Sequence, residues 1–526
     1  MKINQLAILI FVFILAAVLR FYKLDINPPG LYWDEAAFGY DAYSILKTAK
    51  DHHGHFLPLL LESFGDWKLP GYHYLLVPSI AIFGLNEFAV RFPSAALGSL
   101  SVVIFFFLVK KIFNNYNVAL LASLFLAISP WHIQFSRGGF ESTAGLFFVL
   151  SGVYLFILAK ERKRTLIFTF AFLLLILSMY TYHAYRIFTP LLIVSLLVIF
   201  RRQLNPKKLI IPSLIAILLL IPLISITTRE EGRARATSQS AFRKEEAEST
   251  RIDYDQKSKK PLRFLSKYLN QPVYYSYLAF NGYLSHFSPT FLFFKGDQTG
   301  RHSQVDMGQI YAFEAILILV AIFSVKNLNP KLLKLMVAWF IISPIPAMIV
   351  TPTPHAYRTL QMAPALAFFS GIGAYYLFFQ KRFLLLKLLF LAIILYSFIT
   401  YLHLLFVHYP KKFAADWQDG YREMVYQIRK YQNQFDLVYV TNINQVPYIY
   451  LLFYQKYDPQ KFIDLRGTRD SFDKYHFIDD EVDVYNKGRI LYVAPSWKKV
   501  DGKWLSAVND SAGRHIYSLW EINGQK

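Results

Sequence analysis

Two carboxylates stand side by side at Asp34 and Glu35, within Leu31-Tyr-Trp-Asp-Glu-Ala-Ala-Phe38. Adjacent residues on a helix face different directions, so one can meet a substrate while the other binds backbone or a cation. A carboxylate so placed suits general-base work on a hydroxyl. A helix N-terminus also favours acids, and that alone would account for the pair. Lys68, in Gly65-Asp-Trp-Lys-Leu-Pro-Gly71, offers a point charge for a lipid phosphate, or simply a snorkelling interfacial lysine. The pattern His-Ala-Tyr-Arg occurs twice, in Tyr180-Thr-Tyr-His-Ala-Tyr-Arg186 and Pro352-Thr-Pro-His-Ala-Tyr-Arg358. Arg186 and Arg358 can each grip a phosphate through paired N–H groups. His183, His355 and Tyr357 stand beside them, and Ser136-Arg-Gly-Gly-Phe-Glu141 adds Arg137 and Glu141 as substrate-binding candidates.

Other signals are weaker. His52, His53 and His55 cluster without a recognised ligand spacing. No metal site is therefore assigned, and a divalent metal stays open. His286, Asp297, Arg301 and His302 are candidate acceptor contacts, although loop polarity explains them equally well. Gly371-Ile-Gly373 lies inside an apolar run and reads as helix packing. There is no phosphate-binding Gly-rich loop of either common type. With no cysteine, disulfides, thiolate metal sites and cysteine nucleophiles are excluded.

The elements that must position these residues are set by composition. Of 526 residues, 55% are hydrophobic and 17% charged, against about 25% charged in soluble domains. That excludes disorder, collagen-like fibres and a simple cytosolic enzyme, and points to a polytopic α-helical membrane protein. Apolar segments run over 6–19, 92–109, 117–134, 140–159, 165–181, 187–200, 209–227, 309–325, 333–350, 359–380 and 383–408. Together they suggest about eleven transmembrane helices. Gly71–Leu85 reads as an interfacial helix. The net charge of +21 suggests a membrane protein's basic loops rather than nucleic acid. One alternate set of loops, from Lys110 to Lys387, holds sixteen Lys and Arg against one acid. These should face the cytoplasm, which puts the loops 21–91 and 228–308, and everything after 409, outside it. Residues 229–260 are dense in charge and read as a mobile loop.

The expected division is a membrane module over 1–409 and a small soluble extracytoplasmic α/β domain over 410–526. The tail carries 17 basic and 15 acidic residues. It is read as helices over 417–434 and 446–456, with strands over 435–441, 489–494 and 516–520.

These features resemble the GT-C membrane glycosyltransferases, and most closely glycosyltransferase family 39, the protein-O-mannosyltransferase and aminoarabinose–lipid A transferase group. The resemblance is sharpest over about 25–115, where a first span, the Asp-Glu loop and the Lys-x-Pro segment precede Phe83-Gly-Leu-Asn-Glu-Phe-Ala-Val-Arg-Phe-Pro-Ser94. Ser136-Arg-Gly-Gly-Phe-Glu141 and the Tyr-Arg turn before 359 are similar to family features. Trp67 stands where the aminoarabinose branch has an acid, and the segment reads Lys-Leu-Pro.

The resemblance implies sugar transfer from a polyprenyl-phosphate donor to a protein, lipid or glycan acceptor outside the cytoplasm of a multi-pass plasma-membrane protein. Asp34 would be the base and Glu35 its support, with Lys68, Arg186 and Arg358 on the donor phosphate. Direct attack assisted by one base predicts inversion. Two other readings are a polyprenyl-lipid flippase and a glycan polymerase or ligase using diphosphate-linked donors. The spans are apolar at mid-depth and show no repeated halves, which argues against a transporter.

Overall fold

A computed structural model describes residues 3–229, 263–324, 330–379, 384–443, 446–479 and 488–523. The charge-dense stretch 229–260 lies outside the described residues except for Arg229, as do Lys326, Lys381 and Arg382. In lipid a backbone must satisfy its own hydrogen bonds, so long apolar runs become helices. Ten helices lead the chain: α1 (Ile3–Phe21), α2 (Trp33–Thr48), α3 (Pro70–Phe83), α4 (Glu87–Phe113), α5 (Tyr116–Ile128), α6 (Pro130–Arg137), α7 (Glu141–Arg162), α8 (Thr165–Thr181), α9 (Tyr185–Phe200) and α10 (Pro206–Thr228).

Among the described residues, six helices are long and apolar enough to cross a membrane, against about eleven expected from segment lengths. The difference has physical causes. The run 117–134 is not one straight span: α5 and α6 meet at 53°. Ser129 precedes Pro130 and is extended, with ψ 121°, because a proline disfavours helical geometry in the residue before it. Other apolar segments form shorter helices, including Thr165–Thr181, Glu314–Ser324 and Leu333–Ala347.

The chain divides into two compact units. The first comprises Met1–Leu19, Leu97–Phe135 and Glu141–Ile399. Within it α7 packs on α8, and helix Met362–Phe379 packs on α5 and on Glu314–Ser324. Gly371 and Gly373 lie in Met362–Phe379. A Cβ at 371 would meet the Ala122 backbone at 2.5 Å, so the small residues permit close helix approach as expected.

The second unit comprises Arg20–Ala96, Ser136–Phe140 and Thr400–Lys526. Residues 400–526 thus cluster with the first loop. The hairpin β1 (Leu61–Ser63) and β2 (Asp66–Lys68) turns at Phe64-Gly65, both with positive φ, as a tight primed turn requires. Side chains alternate along a strand, so Asp66 and Lys68 share a face. In the tail, β3 (Leu437–Thr441), β4 (Ser471–Phe472), β5 (Tyr475–Ile478), β6 (Arg489–Pro495), β7 (Lys503–Asn509) and β8 (His515–Asn523) form one mixed sheet in the order β4-β5-β3-β6-β8-β7. Helices Pro447–Gln455 and Pro459–Asp464 pack against α2.

Candidate active site

In the second unit, hairpin and helix meet at a lysine. Lys68 Nζ lies 3.2 Å from Asp34 Oδ2 and 3.0 Å from Asp66 Oδ2. The lysine side chain is 6% exposed and that of Asp34 is 26% exposed. Asp34 sits in the first turn of α2, where the helix dipole favours a carboxylate. It is therefore ion-paired yet open to solvent on one side.

Glu35, its neighbour, has the opposite environment. Its carboxylate accepts from Arg91 Nε at 3.0 Å, Arg91 Nη2 at 3.1 Å, Gly139 N at 2.7 Å and Tyr32 N at 3.1 Å. The side chain is buried and saturated, so it can orient α2 but has no lone pair directed at a substrate. Arg91 also donates to the carbonyls of Leu24, Pro28 and Gly30. A Cβ at Gly139 would lie 3.2 Å from Glu35 Cγ, so any larger residue there would press on the Glu35 side chain. Arg137 is buried and donates to the carbonyls of Tyr22 at 2.9 Å and Asn27 at 2.6 Å. It clamps the chain just past the end of α1, and this is a positioning role.

Behind Asp34 on α2 lies a buried Asp41–His52 pair, with Nδ1 2.6 Å from Oδ1 and His73 Nε2 3.9 Å from Oδ2. Burial alone would raise the Asp41 carboxyl, but the charge and hydrogen bond of His52, with His73, hold it below its usual range. Burial would likewise lower His52, and Asp41 outweighs it and pushes His52 up. His53 is pushed down to about 3, mainly by burial. His55 instead pairs with Asp51 at 3.0 Å, and among the described residues the three histidines do not bring ligand atoms together as a metal group.

In the first unit, Glu141 opens α7, and the Tyr357 hydroxyl donates to its buried carboxylate. The Tyr357 ring stacks on Phe135 with centroids 5.4 Å apart, and Tyr182 lies at 4.4 Å. His183 and Arg186 lie at the start of α9, both half-buried, where the Tyr185 hydroxyl ties the helix to the Ser142 carbonyl at 2.9 Å. Arg358, also half-buried, sits in the single 3₁₀ turn Tyr357–Thr359.

Asp297 accepts from Thr299 N at 2.8 Å and Ala356 N at 2.6 Å. His302 Nδ1 lies 3.6 Å and His355 Nδ1 4.0 Å from Asp297 Oδ2. His286 Nε2 accepts from the His355 backbone N–H at 3.0 Å, and its Nδ1 faces the Gly282 carbonyl at 2.7 Å. Burial, then the neighbouring His302 and Arg358, push the His355 imidazole well down, so it is neutral. Ligand atoms of Asp297, His302 and His355 all lie within 4.8 Å of one another, so these residues could hold a metal ion.

The sequence candidates thus fall into two groups. Asp34, Glu35, Lys68 and Arg137 belong to the second unit, and Glu141, His183, Arg186, His355, Tyr357 and Arg358 to the first. Sequence reasoning did not single out Arg91, although an arginine entering an apolar span is a signal that a partner must exist. It also left His302 and Asp297 apart from His355, because more than fifty residues separate them.

Residues 68–226 match the model of the dolichyl-phosphate-mannose-protein mannosyltransferase family. An uncharacterized protein of Aquifex aeolicus is 29% identical over 155 residues, which span 29% of this chain and 30% of that protein. ArnT from Cupriavidus metallidurans, solved in the apo state, aligns over 98% of both chains with a TM-score of 0.56 and 12% identity. The same enzyme bound to undecaprenyl phosphate gives a TM-score of 0.55 over 97% of each. The Archaeoglobus fulgidus oligosaccharyltransferase, tethered to an acceptor peptide, aligns over 86% of this chain and 63% of its own, with a TM-score of 0.52 and 14% identity. Identities this low establish the fold alone. The fold is that of the GT-C membrane glycosyltransferases, a polytopic helical assembly with a C-terminal sheet domain. The family likeness itself extends over residues 68–226, under a third of the chain.

Proposed function

We propose that this chain transfers a sugar from a polyprenyl-phosphate-linked donor to an acceptor at the extracytoplasmic face of a plasma membrane, with inversion at the anomeric carbon. The observation that carries the reading is the division of labour in α2. Glu35 is saturated by Arg91 and backbone N–H groups, which leaves Asp34 as the open carboxylate beside a buried lysine. Asp34 takes the acceptor proton as the acceptor oxygen attacks the anomeric carbon and the phosphate departs. The transition state is oxocarbenium-like. A phosphate leaving group needs charge neutralisation more than a proton, so cations stand where a general acid would otherwise act. An ammonium has three N–H donors. Lys68 directs two at Asp34 and Asp66, and its third is suited to a phosphate oxygen. By the family resemblance Arg186 and Arg358 are the other phosphate candidates, and Glu141 and Tyr357 are substrate-binding candidates. The family match from residue 68 and the binding of undecaprenyl phosphate by ArnT support the donor class.

The test uses wild-type protein and Asp34→Asn in lipid nanodiscs, with a panel of radiolabelled polyprenyl-phosphate sugars and an extract of envelope glycans and proteins. Labelled product from wild type, lost in Asp34→Asn while donor binding persists, is the expected result. Product from both proteins would remove Asp34 as the base. Transbilayer movement of the lipid without product would replace transfer by transport.

A further inference from the structure

We infer that Asp297, His302 and His355 form a mononuclear divalent-metal site of the zinc type, with three protein ligands and an open coordination position. The ligand atoms are already convergent: the two imidazole Nδ1 atoms lie 3.6 and 4.0 Å from the same oxygen, Asp297 Oδ2. Atoms bound to a tetrahedral zinc at about 2.0–2.2 Å lie roughly 3.3–3.6 Å from one another. Both carboxylate–imidazole separations fall near that spacing. The third pair is within 4.8 Å, so a closure of about 1 Å completes the set.

The surroundings fit a metal site. All three residues are buried. The backbone N–H groups of Thr299 and Ala356 fix the carboxylate, and His286 accepts the His355 backbone N–H. The His302 ring lies against Tyr357 at 5.6 Å and Phe135 at 5.7 Å, which limits its rotation. Such outer contacts orient metal ligands. The donor set selects the ion. Two imidazoles and one carboxylate suit Zn²⁺ or a neighbouring transition ion, whereas Ca²⁺ and Mg²⁺ want oxygen ligands.

The site uses residues more than fifty positions apart in the chain. Occupancy would pin the His-Ala-Tyr-Arg turn, which carries Arg358 three residues after His355. That consequence rests on the phosphate role proposed for Arg358. The site itself does not.

The test reads metal, not transfer, so failure of the donor assay and failure of this inference are separable. Untagged protein in nanodiscs is stripped with chelator and titrated with Co²⁺, then with Zn²⁺. One Co²⁺ per chain is expected, with the visible absorption of a nitrogen- and oxygen-ligated ion, displaced by one Zn²⁺. His302→Ala and His355→Ala should each weaken Co²⁺ binding by at least about tenfold, and His55→Ala should not. X-ray absorption of zinc-loaded wild type should count two imidazoles, a measurement that stands even if a variant does not fold. Binding well below one equivalent, an imidazole count other than two, or unchanged affinity in folded His302→Ala would each overturn the site.

Discussion

Asp34 in the second unit and Asp297 in the first are both carboxylates in helical membrane architecture, but their positive partners differ. Asp34 meets a cation built into the chain, Lys68 at 3.2 Å. Beside it Glu35 meets another, Arg91. Asp297 meets two imidazoles, of which His355 is neutral, and backbone N–H groups. A fixed ammonium or guanidinium holds a carboxylate in one place, which suits a base and its scaffold. Imidazole nitrogens converging on a carboxylate leave a place that a mobile cation can fill. The first arrangement is finished by the fold, and the second by something the fold can bind.

The largest expected effect lies within α2. Asp34→Asn should lower turnover by about 10²–10⁴-fold, the usual worth of a general base. Its melting temperature should barely move, because a partly exposed ion pair contributes about 0–1 kcal/mol. Glu35→Gln should do the reverse. It leaves the buried Arg91 without its counter-charge, at a cost of about 3–5 kcal/mol. A melting curve that matches wild type would show that Glu35 is not the scaffold.

The histidine centre should respond to its ion. Zn²⁺ at a hundred times its dissociation constant should stabilise the protein by about 2.7 kcal/mol, read as a rise in melting temperature that Asp297→Asn abolishes. The smallest effect is in pH. His52 is raised by Asp41, so its stabilisation is full below the unfolded value of 6.5 and is lost as pH rises through the higher folded value. The stability gap between wild type and His52→Gln should therefore be widest in mild acid, just below that unfolded value, and should close in alkali. Asp41 is shifted downward, so its contribution fades only in acid, below its usual 3.8. A gap that grows with alkali would contradict the pairing.

Hydropathy made the helices legible, and each apolar segment is helical over at least part of its length. It could not show the break at Pro130, because bending leaves the apolar count unchanged. In the tail, β3, β6 and β8 were legible as apolar β-branched and aromatic runs. The others were not: β4 has two residues, and β7 is a largely exposed edge strand without clean alternation. Asp34 and Lys68 were legible because they sit in short motifs. The burial that separates Glu35 from Asp34 was not, since it depends on Arg91 and Gly139, brought close only by folding. Nor was the Asp297–His302–His355 group, whose members share no local spacing.

The backbone N–H of Trp33, at the head of α2, is held by Gln418 Oε1 at 2.8 Å, across 385 residues of sequence. Translation at about 5–20 residues per second puts roughly 20–80 s between the synthesis of the two partners. During that interval the segment bearing Asp34 and Glu35 must wait at the membrane surface with its last contacts unmade. Biogenesis is therefore a holding problem for this protein. Early truncation in the tail should leave an inserted but incompletely assembled chain, a natural substrate for membrane quality control.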